Sequence, residues 1–295
     1  MAVPRGSEIA DPLTTVQQDG WILALAGTVA PELRPTVIRL ALDAAAGTAG
    51  KRVRRSQHAD TSLVELGNQD LFVKLVRPRR GLKRLRRWTR GTTAEHVVAI
   101  AAALQRDGLR APAPILWGSE VRRGREIIVT ARARGTLLPR SLREAGRDLT
   151  GKRALLRALG AEIARLHLRG YLHGDLTPFN VLCSRDEPDR FILLDHERTR
   201  RTWLSRFTRP RFRNLVQLGH FSLPGLTRTD RMRVWCAYAE VYQSTGRRRR
   251  SEVRRLGRMI QKRLAEDLRK TAAPADRMVA RGDADKVPWR PRKSP

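Results

Sequence analysis

Hydrophobic spacing divides the chain into a first half of short runs and a second half of long helical stripes. Between Lys51 and Val76, "KRVRRSQHADTSLVELGNQDLFVKLV" places two short apolar or β-branched runs, "TSLVEL" and "LFVKLV", around the turn-forming "GNQD". That pattern predicts strands. "TTAEHVVAIAAALQRDG" then predicts a helix, with Thr92 as its cap, an Ala-rich body and Gly108 at its end. "APAPILWG" reads as a proline-punctuated entry into a strand, and "EIIVTARARGTLL" as another strand and its exit. In "GKRALLRALGAEIARLHLRG", Leu155, Leu156, Leu159, Ile163 and Leu166 fall on one face of a long amphipathic helix that Gly170 stops. "VLC" and "FILLD" predict a short hairpin around the polar "SRDEPDR", and the remainder reads as helical and Arg-rich. Residues 1–48 alternate an apolar helical pattern with proline and end in "DAAAGTAG". No internal repeat is present.

Strands, a helix, further strands and then a mostly helical half predict an α+β fold of two lobes. The N-lobe is small and β-rich with one main helix, and the C-lobe is larger and mostly helical. The expected boundaries are an N-terminal extension at 1–48, an N-lobe at 49–134, a C-lobe at 135–270 and a basic, poorly ordered tail at 271–295.

Composition narrows the partners. At 295 residues the chain is long enough for a substantial core, and 41% hydrophobic residues make it globular. Lys+Arg 60 against Asp+Glu 29 gives a net charge of +31, an excess that calls for an anionic partner. Nucleic acid, an anionic membrane surface and a phosphorylated substrate all satisfy that demand. Cys183 and Cys236 form neither a C-x-x-C pair nor a metal spacing, which fits reduced thiols. No window reaches the roughly 18 apolar residues of a membrane span, and "MAVPRGSEIADPL" lacks the apolar core of a signal peptide. A cytoplasmic protein that touches a membrane from that side is the expectation.

The chemistry concentrates in "YLHGDLTPFNVL", Tyr171 to Leu182, which reads H-x-D-L-x-x-x-N. Phosphoryl transfer carries diffuse negative charge, so a protein catalyses it by positioning metals and donors rather than by covalent chemistry. A carboxylate must orient the acceptor hydroxyl and take its proton, and Asp175 fits. An amide oxygen on the same loop suits Mg²⁺, and Asn180 fits. A second carboxylate must hold Mg²⁺ between the phosphates, and Asp195 at the end of "FILLD" fits. His173 would be a structural member of the loop. A lysine on the phosphates also needs a fixing carboxylate. Lys74 lies in the strand pattern "LFVKLV", and Glu95 is the only acid between Asp70 and Asp107. Two roles stay open for Glu95: partner of Lys74, or the acid of the capping box Thr92-x-x-Glu95. The phosphate-covering stretch "RRSQHADTSL" has no glycine, which leaves Arg54, Arg55 and Ser56 as side-chain candidates. Adenine of ATP is expected against the strand exit "VTARARG", on backbone groups from Ala131 to Ala133.

From about Lys51 to Tyr242 these residues resemble the lipopolysaccharide kinase family of the Kdo-kinase and core-heptose-kinase type, within the protein-kinase-like superfamily. The match rests on "FVKLVRPRRGLKRLRR", "AEHVVAIAAALQRDGLRAPAPILWG", "YLHGDLTPFNVL", "FILLDHERTRR" and "RFRNLVQLGHFSLPGLTRTDRMR". The resemblance implies a bilobal protein-kinase-like fold. It also implies ATP- and Mg²⁺-dependent phosphate transfer to a hydroxyl of an inner-core sugar, at the cytoplasmic face of the inner membrane. Asp195-His196-Glu197 stands where protein kinases write D-F-G, and no A-P-E follows, which favours a sugar over a protein acceptor. The loop also resembles that of RIO-type kinases, which keeps an atypical protein kinase as an alternative. A non-catalytic kinase-like module that binds anionic polymer is the reading from another class.

Two basic stretches, "RPRRGLKRLRRWTRG" and Arg198 to Arg213, suit an anionic glycolipid, a sugar-phosphate acceptor or lipid headgroups. Each Lys or Arg near such a surface contributes about 1 kcal/mol, and Trp88 suits an interface. The alternative is a pair of solvated Arg-rich faces. Nucleic acid is the weaker partner, because aromatics are 5% and no stacking platform is evident.

Overall fold

The computed structural model describes residues 14–271, apart from 57, 79–90, 146–147, 186, 188–189, 221–222, 224–225 and 244–245. The basic insert with Trp88 and the tail after 271 lie outside the described residues. The chain forms two compact units. One is Met1–Ala133 together with Asp195–Glu197, and the other is Arg134–Leu194 with Arg198–Pro295.

The first unit is built on a seven-stranded antiparallel sheet. Its strands are β1 (Thr14–Gln18), β2 (Trp21–Leu25), β3 (Lys51–Arg55), β4 (Ala59–Leu66), β5 (Gln69–Val76), β6 (Pro114–Glu120) and β7 (Glu126–Ala131). They lie in the order β1-β2-β6-β7-β5-β4-β3. Alternation sorts the side chains between two faces. Leu71 and Val73 of β5, with Ile127 and Val129 of β7, pack with Val37, Ile38 and Ala41 of α1 (Arg34–Ala46). Val76 and Ile128, of the opposite parity, pack with Ala94, Val97 and Val98 of α2 (Thr93–Arg106). Lys74 shares that second parity, so its strand position aims it toward the α2 face.

Here the helical expectation is corrected for residues 14–25, while α1 at Arg34–Ala46 keeps it. Residues 14–25 are a hairpin rather than helix, turned at Asp19-Gly20, where both φ angles are positive. Trp21, Leu23 and Leu25 are buried while Ile22 is exposed, the period of a strand. β2 pairs with β6, so this stretch is built into the sheet. Among the described residues the first unit carries two α-helices, α1 within the stretch expected as an extension and α2 where the main helix of the N-lobe is expected.

The second unit opens with β8 (Gly135–Leu137), α3 (Leu138–Glu144) and α4 (Leu149–Leu168). It continues through β9 (Tyr171–Leu172), β10 (Val181–Ser184), β11 (Phe191–Leu193) and β12 (Arg200–Arg201), and ends in α5 (Thr208–Gly219), α6 (Arg228–Val241) and α7 (Gly246–Thr271). β10 is flanked by β11 and β8, and β9 pairs with β12. Asp148 starts α4 by accepting from the Thr150 and Gly151 amides. Leu156, Leu159, Ile163 and Leu166 of α4 are buried, as the sequence spacing predicted, and α6 contributes Trp235 and Tyr238. Lys152 and Asp230, both buried, join the two helices at 2.7 Å. No helix among the described residues is long and apolar enough to cross a membrane.

The α4–α6 crossing depends on Gly160, where a Cβ would meet the Val234 carbonyl oxygen at 2.2 Å and the Ala237 Cβ at 3.0 Å. Backbone cannot yield there as a side chain would, so Gly160→Ala should destabilise the protein by about 1–3 kcal/mol, the usual cost of overpacking. Chemical denaturation of the two proteins reads this directly. An unchanged midpoint would show that the crossing has slack.

Candidate active site

In the first unit the centre is Lys74. Its Nζ lies 3.0 Å from Asp195 Oδ1 and 2.7 Å from Glu197 Oε1. Burial is the largest single influence on the ammonium and pulls its pKa down, but the two carboxylates outweigh it and the net shift is upward. Lys74 is therefore held as a cation. Asp195 adopts a left-handed backbone, φ 62°, which aspartate tolerates better than most residues.

The expected pairing of Lys74 with Glu95 is corrected. The Glu95 carboxylate accepts from the Thr92 amide at 2.8 Å, and Thr92 Oγ1 accepts from the Glu95 amide at 3.1 Å. The reciprocal capping box claims Glu95 for its own helix. A second carboxylate, Glu126, buried on β7, accepts from the Ala94 amide at 3.0 Å. The partner the sequence reading missed, Glu197, stands two residues after Asp195. Its signal was the replacement of D-F-G by Asp195-His196-Glu197.

The glycine-free turn after β3 is closed by Ser56. Its hydroxyl accepts from the His58 and Ala59 amides and donates to Ala59 O at 2.9 Å. Ser56 is thus committed to the turn. Arg54 and Arg55 remain exposed at the end of β3. Of the expected adenine contacts, the Ala131 amide is already bonded to Ala113 O at 2.9 Å and cannot serve as a donor. Ala133 lies past the strand end.

In the second unit the loop 173–180 is held through its backbone. Asn214 of α5 accepts from the His173 amide at 2.9 Å, and Gln217, one turn on, donates to Gly174 O at 3.0 Å. The two amides bond each other at 3.2 Å, which fixes their orientation. Thr199 donates to His173 O at 3.2 Å, and the His173 ring is fully buried. Gly174, with φ +75°, passes so close to Arg198 that a Cβ would sit 2.5 Å from its carbonyl oxygen. The Asn180 amide NH₂ donates to Asp175 O at 2.9 Å, leaving its side-chain oxygen as an acceptor. The Asp175 carboxylate is half-exposed and has no ion-pair or hydrogen-bond partner among the described residues. In a chain so rich in cations, an unpaired carboxylate suits a group that must receive a proton. Asn214 and Gln217 were legible only as two amides in the apolar run "NLVQL".

Behind Asn214 lies a buried polar chain. His167 contacts Asn214 Oδ1 at 3.4 Å and the Tyr238 hydroxyl at 2.9 Å, and that hydroxyl also accepts from Arg211 at 3.0 Å. Arg211 is stacked 3.8 Å over the Tyr242 ring. Burial lowers the His167 pKa to about 3, against the Asn214 hydrogen bond and with help from the Arg211 charge. The ring is therefore neutral in the folded state and protonates near 6.5 when unfolded. Stability contributed by neutral His167 is complete above about pH 6.5 and drains away between there and pH 3, on the order of 1 kcal/mol per pH unit. Denaturation midpoints from pH 7 to 4 should fall more steeply for the wild type than for His167→Gln, and parallel curves would refute this.

Comparisons with known proteins bear on the family and the fold. A family model described as "Lipopolysaccharide kinase (Kdo/WaaP) family" matches residues 83–238, which include Asp175, Asn180 and Asp195. Among solved structures the chain is similar to one titled "WaaP in complex with acyl carrier protein". The TM-score is 0.55 at 22% identity, over 81% of this chain and 98% of that one, a likeness that carries the fold. No curated protein matches.

Proposed function

Because this chain belongs to the lipopolysaccharide kinase (Kdo/WaaP) family, a family of phosphotransferases, we propose that it transfers the ATP γ-phosphate to a sugar hydroxyl of lipopolysaccharide core, Kdo or heptose, at the inner face of the cytoplasmic membrane. The observation that carries the reading is the contact of Lys74 with Asp195, 121 residues apart in sequence and 3.0 Å apart in space. It joins a cation suited to phosphate with a carboxylate suited to metal.

Asp175 orients the acceptor hydroxyl and takes its proton. Lys74 draws charge from the phosphates, and Glu197 holds the ammonium in position. Mg²⁺ prefers oxygen ligands; the Asn180 side-chain oxygen and the Asp195 carboxylate would hold it, and it would neutralise the charge that develops between the phosphates. Asn214 and Gln217 keep the Asp175 loop in place through its backbone. From Asp195 the chain reaches α5 at Thr208. So short a connection leaves little length for the regulated activation segment of a protein kinase, which supports the sugar acceptor.

The test is transfer from γ-labelled ATP with Mg²⁺ into a mixed cell-envelope extract, separated into lipid-saccharide and protein fractions. Label should enter the lipid-saccharide fraction with the wild type, and disappear with Asp175→Ala or on chelation of the metal. Label confined to protein would transfer the assignment to a RIO-like protein kinase.

Two further variants separate the carboxylates around Lys74. Glu197→Gln should lower kcat by about 10²-fold, the scale of one lost electrostatic group, with the unfolding midpoint nearly unchanged. Glu95→Ala should cost about 1 kcal/mol of stability as a lost cap and leave most of the rate. The reverse pattern would restore Glu95 as the lysine's partner.

A further inference from the structure

Between Glu197 and Asp230 the sequence contains no acidic residue. At the start of this stretch the second unit exposes an apolar cluster: Trp203 is 63% exposed, Leu204 42% and Phe207 51%. The Trp203 and Phe207 rings meet edge to face, centroids 5.1 Å apart, so they form one patch. The end of α4 runs alongside, where Gly170 O accepts from the Thr202 amide at 2.7 Å, and Leu168 there is exposed as well. Around the cluster in sequence are the exposed Arg198, Arg200, Arg209 and Arg213, none of which has an ion pair among the described residues.

An exposed cluster of two aromatics and two leucines is costly in water unless something covers it. Unpaired arginines beside it ask for anions rather than for a second apolar surface. Tryptophan and phenylalanine at the level of headgroups, with arginines on the phosphates, are what an anionic bilayer surface accommodates. A second copy of this chain would bring its own uncompensated arginines to the same contact. We propose that Trp203, Leu204 and Phe207, with Arg200 and Arg209 beside them, form the surface by which the protein docks on an anionic lipid bilayer.

The position is mechanically apt. β12, which carries Arg200 and Arg201, pairs with β9, and β9 leads within three residues to Asp175. Thr199, just before β12, bonds His173 O. The docking segment and the loop that would receive the acceptor are thus parts of one hydrogen-bonded structure. The proposal deepens the reading of a lipid-borne acceptor, and its evidence stands apart from that reading.

The experiment is co-sedimentation of the full chain with phosphatidylcholine vesicles containing about one part in four phosphatidylglycerol, against phosphatidylcholine alone. The wild type should bind the anionic vesicles and lose them as salt is raised. Trp203→Ala with Phe207→Ala should weaken binding on the order of tenfold. Arg200→Gln with Arg209→Gln should weaken it at least as much, since each arginine is worth roughly fivefold, and should flatten the salt dependence. Leu204→Ser serves as a second, smaller lesion, and all variants should keep the wild-type unfolding midpoint. Asp175→Ala should bind vesicles as the wild type does, so failure of docking and failure of phosphate transfer are read separately. Equal binding by the aromatic variant and the wild type would overturn the proposal. So would a patch whose loss abolishes self-association, RNA binding or binding of an acidic protein while vesicle binding persists.

Discussion

Lys74 takes both of its carboxylates from three consecutive residues, Asp195 to Glu197. That pairing draws a short piece of the second half of the sequence into the compact unit formed by the first. The chain has about half as many acids as bases, so each carboxylate's placement matters. Glu95 is spent on a helix cap, Asp230 on a buried lysine, and Glu197 is left to hold Lys74. The consequence is that both carboxylates on Lys74 belong to one three-residue segment, where a helix-borne partner such as Glu95 would have separated them.

The second unit solves a different problem: how to hold a loop whose Asp175 carboxylate makes no contact among the described residues. The proposed role of Asp175 requires a carboxylate that is not tied up in a structural contact. The fold fixes the peptide instead, through Asn214, Gln217 and Thr199 on the two residues before it, and through Asn180 on Asp175's own carbonyl. Asn214 is in turn met by His167, which contacts Tyr238 and through it Arg211, all buried. Such a network is rigid only while every member is satisfied, which makes neutral His167 a structural requirement for a loop it never touches.

Much of this was legible from spacing. The α4 stripe, the β4–β5 and β10–β11 hairpins and the Thr92 cap follow from local periodicity and turn chemistry. So does the candidate loop, because its residues are neighbours in sequence. The failures came where tertiary pairing decides. "WILALAGTVA" is apolar enough for a helix or a strand, and pairing with β1 and β6 makes its first five residues β2. Glu95 satisfied two local patterns at once, and the closer partner won: its own helix amides need no loop closure, whereas Lys74 does. Asn214 and Gln217 carried no signal, since an amide that binds backbone looks like any polar residue on a helix.

The acid-free stretch from Arg198 to Thr229 has a further consequence, for the protein's response to its medium. Surface ion pairs weaken as salt is added, and proteins that rely on them lose stability. Here Arg198, Arg200, Arg209 and Arg213 are exposed without an ion pair among the described residues, so the folded state concentrates like charge whose repulsion mobile ions relieve. Moderate ionic strength is therefore a stabilising condition for this half of the molecule, and dilute buffer the stress.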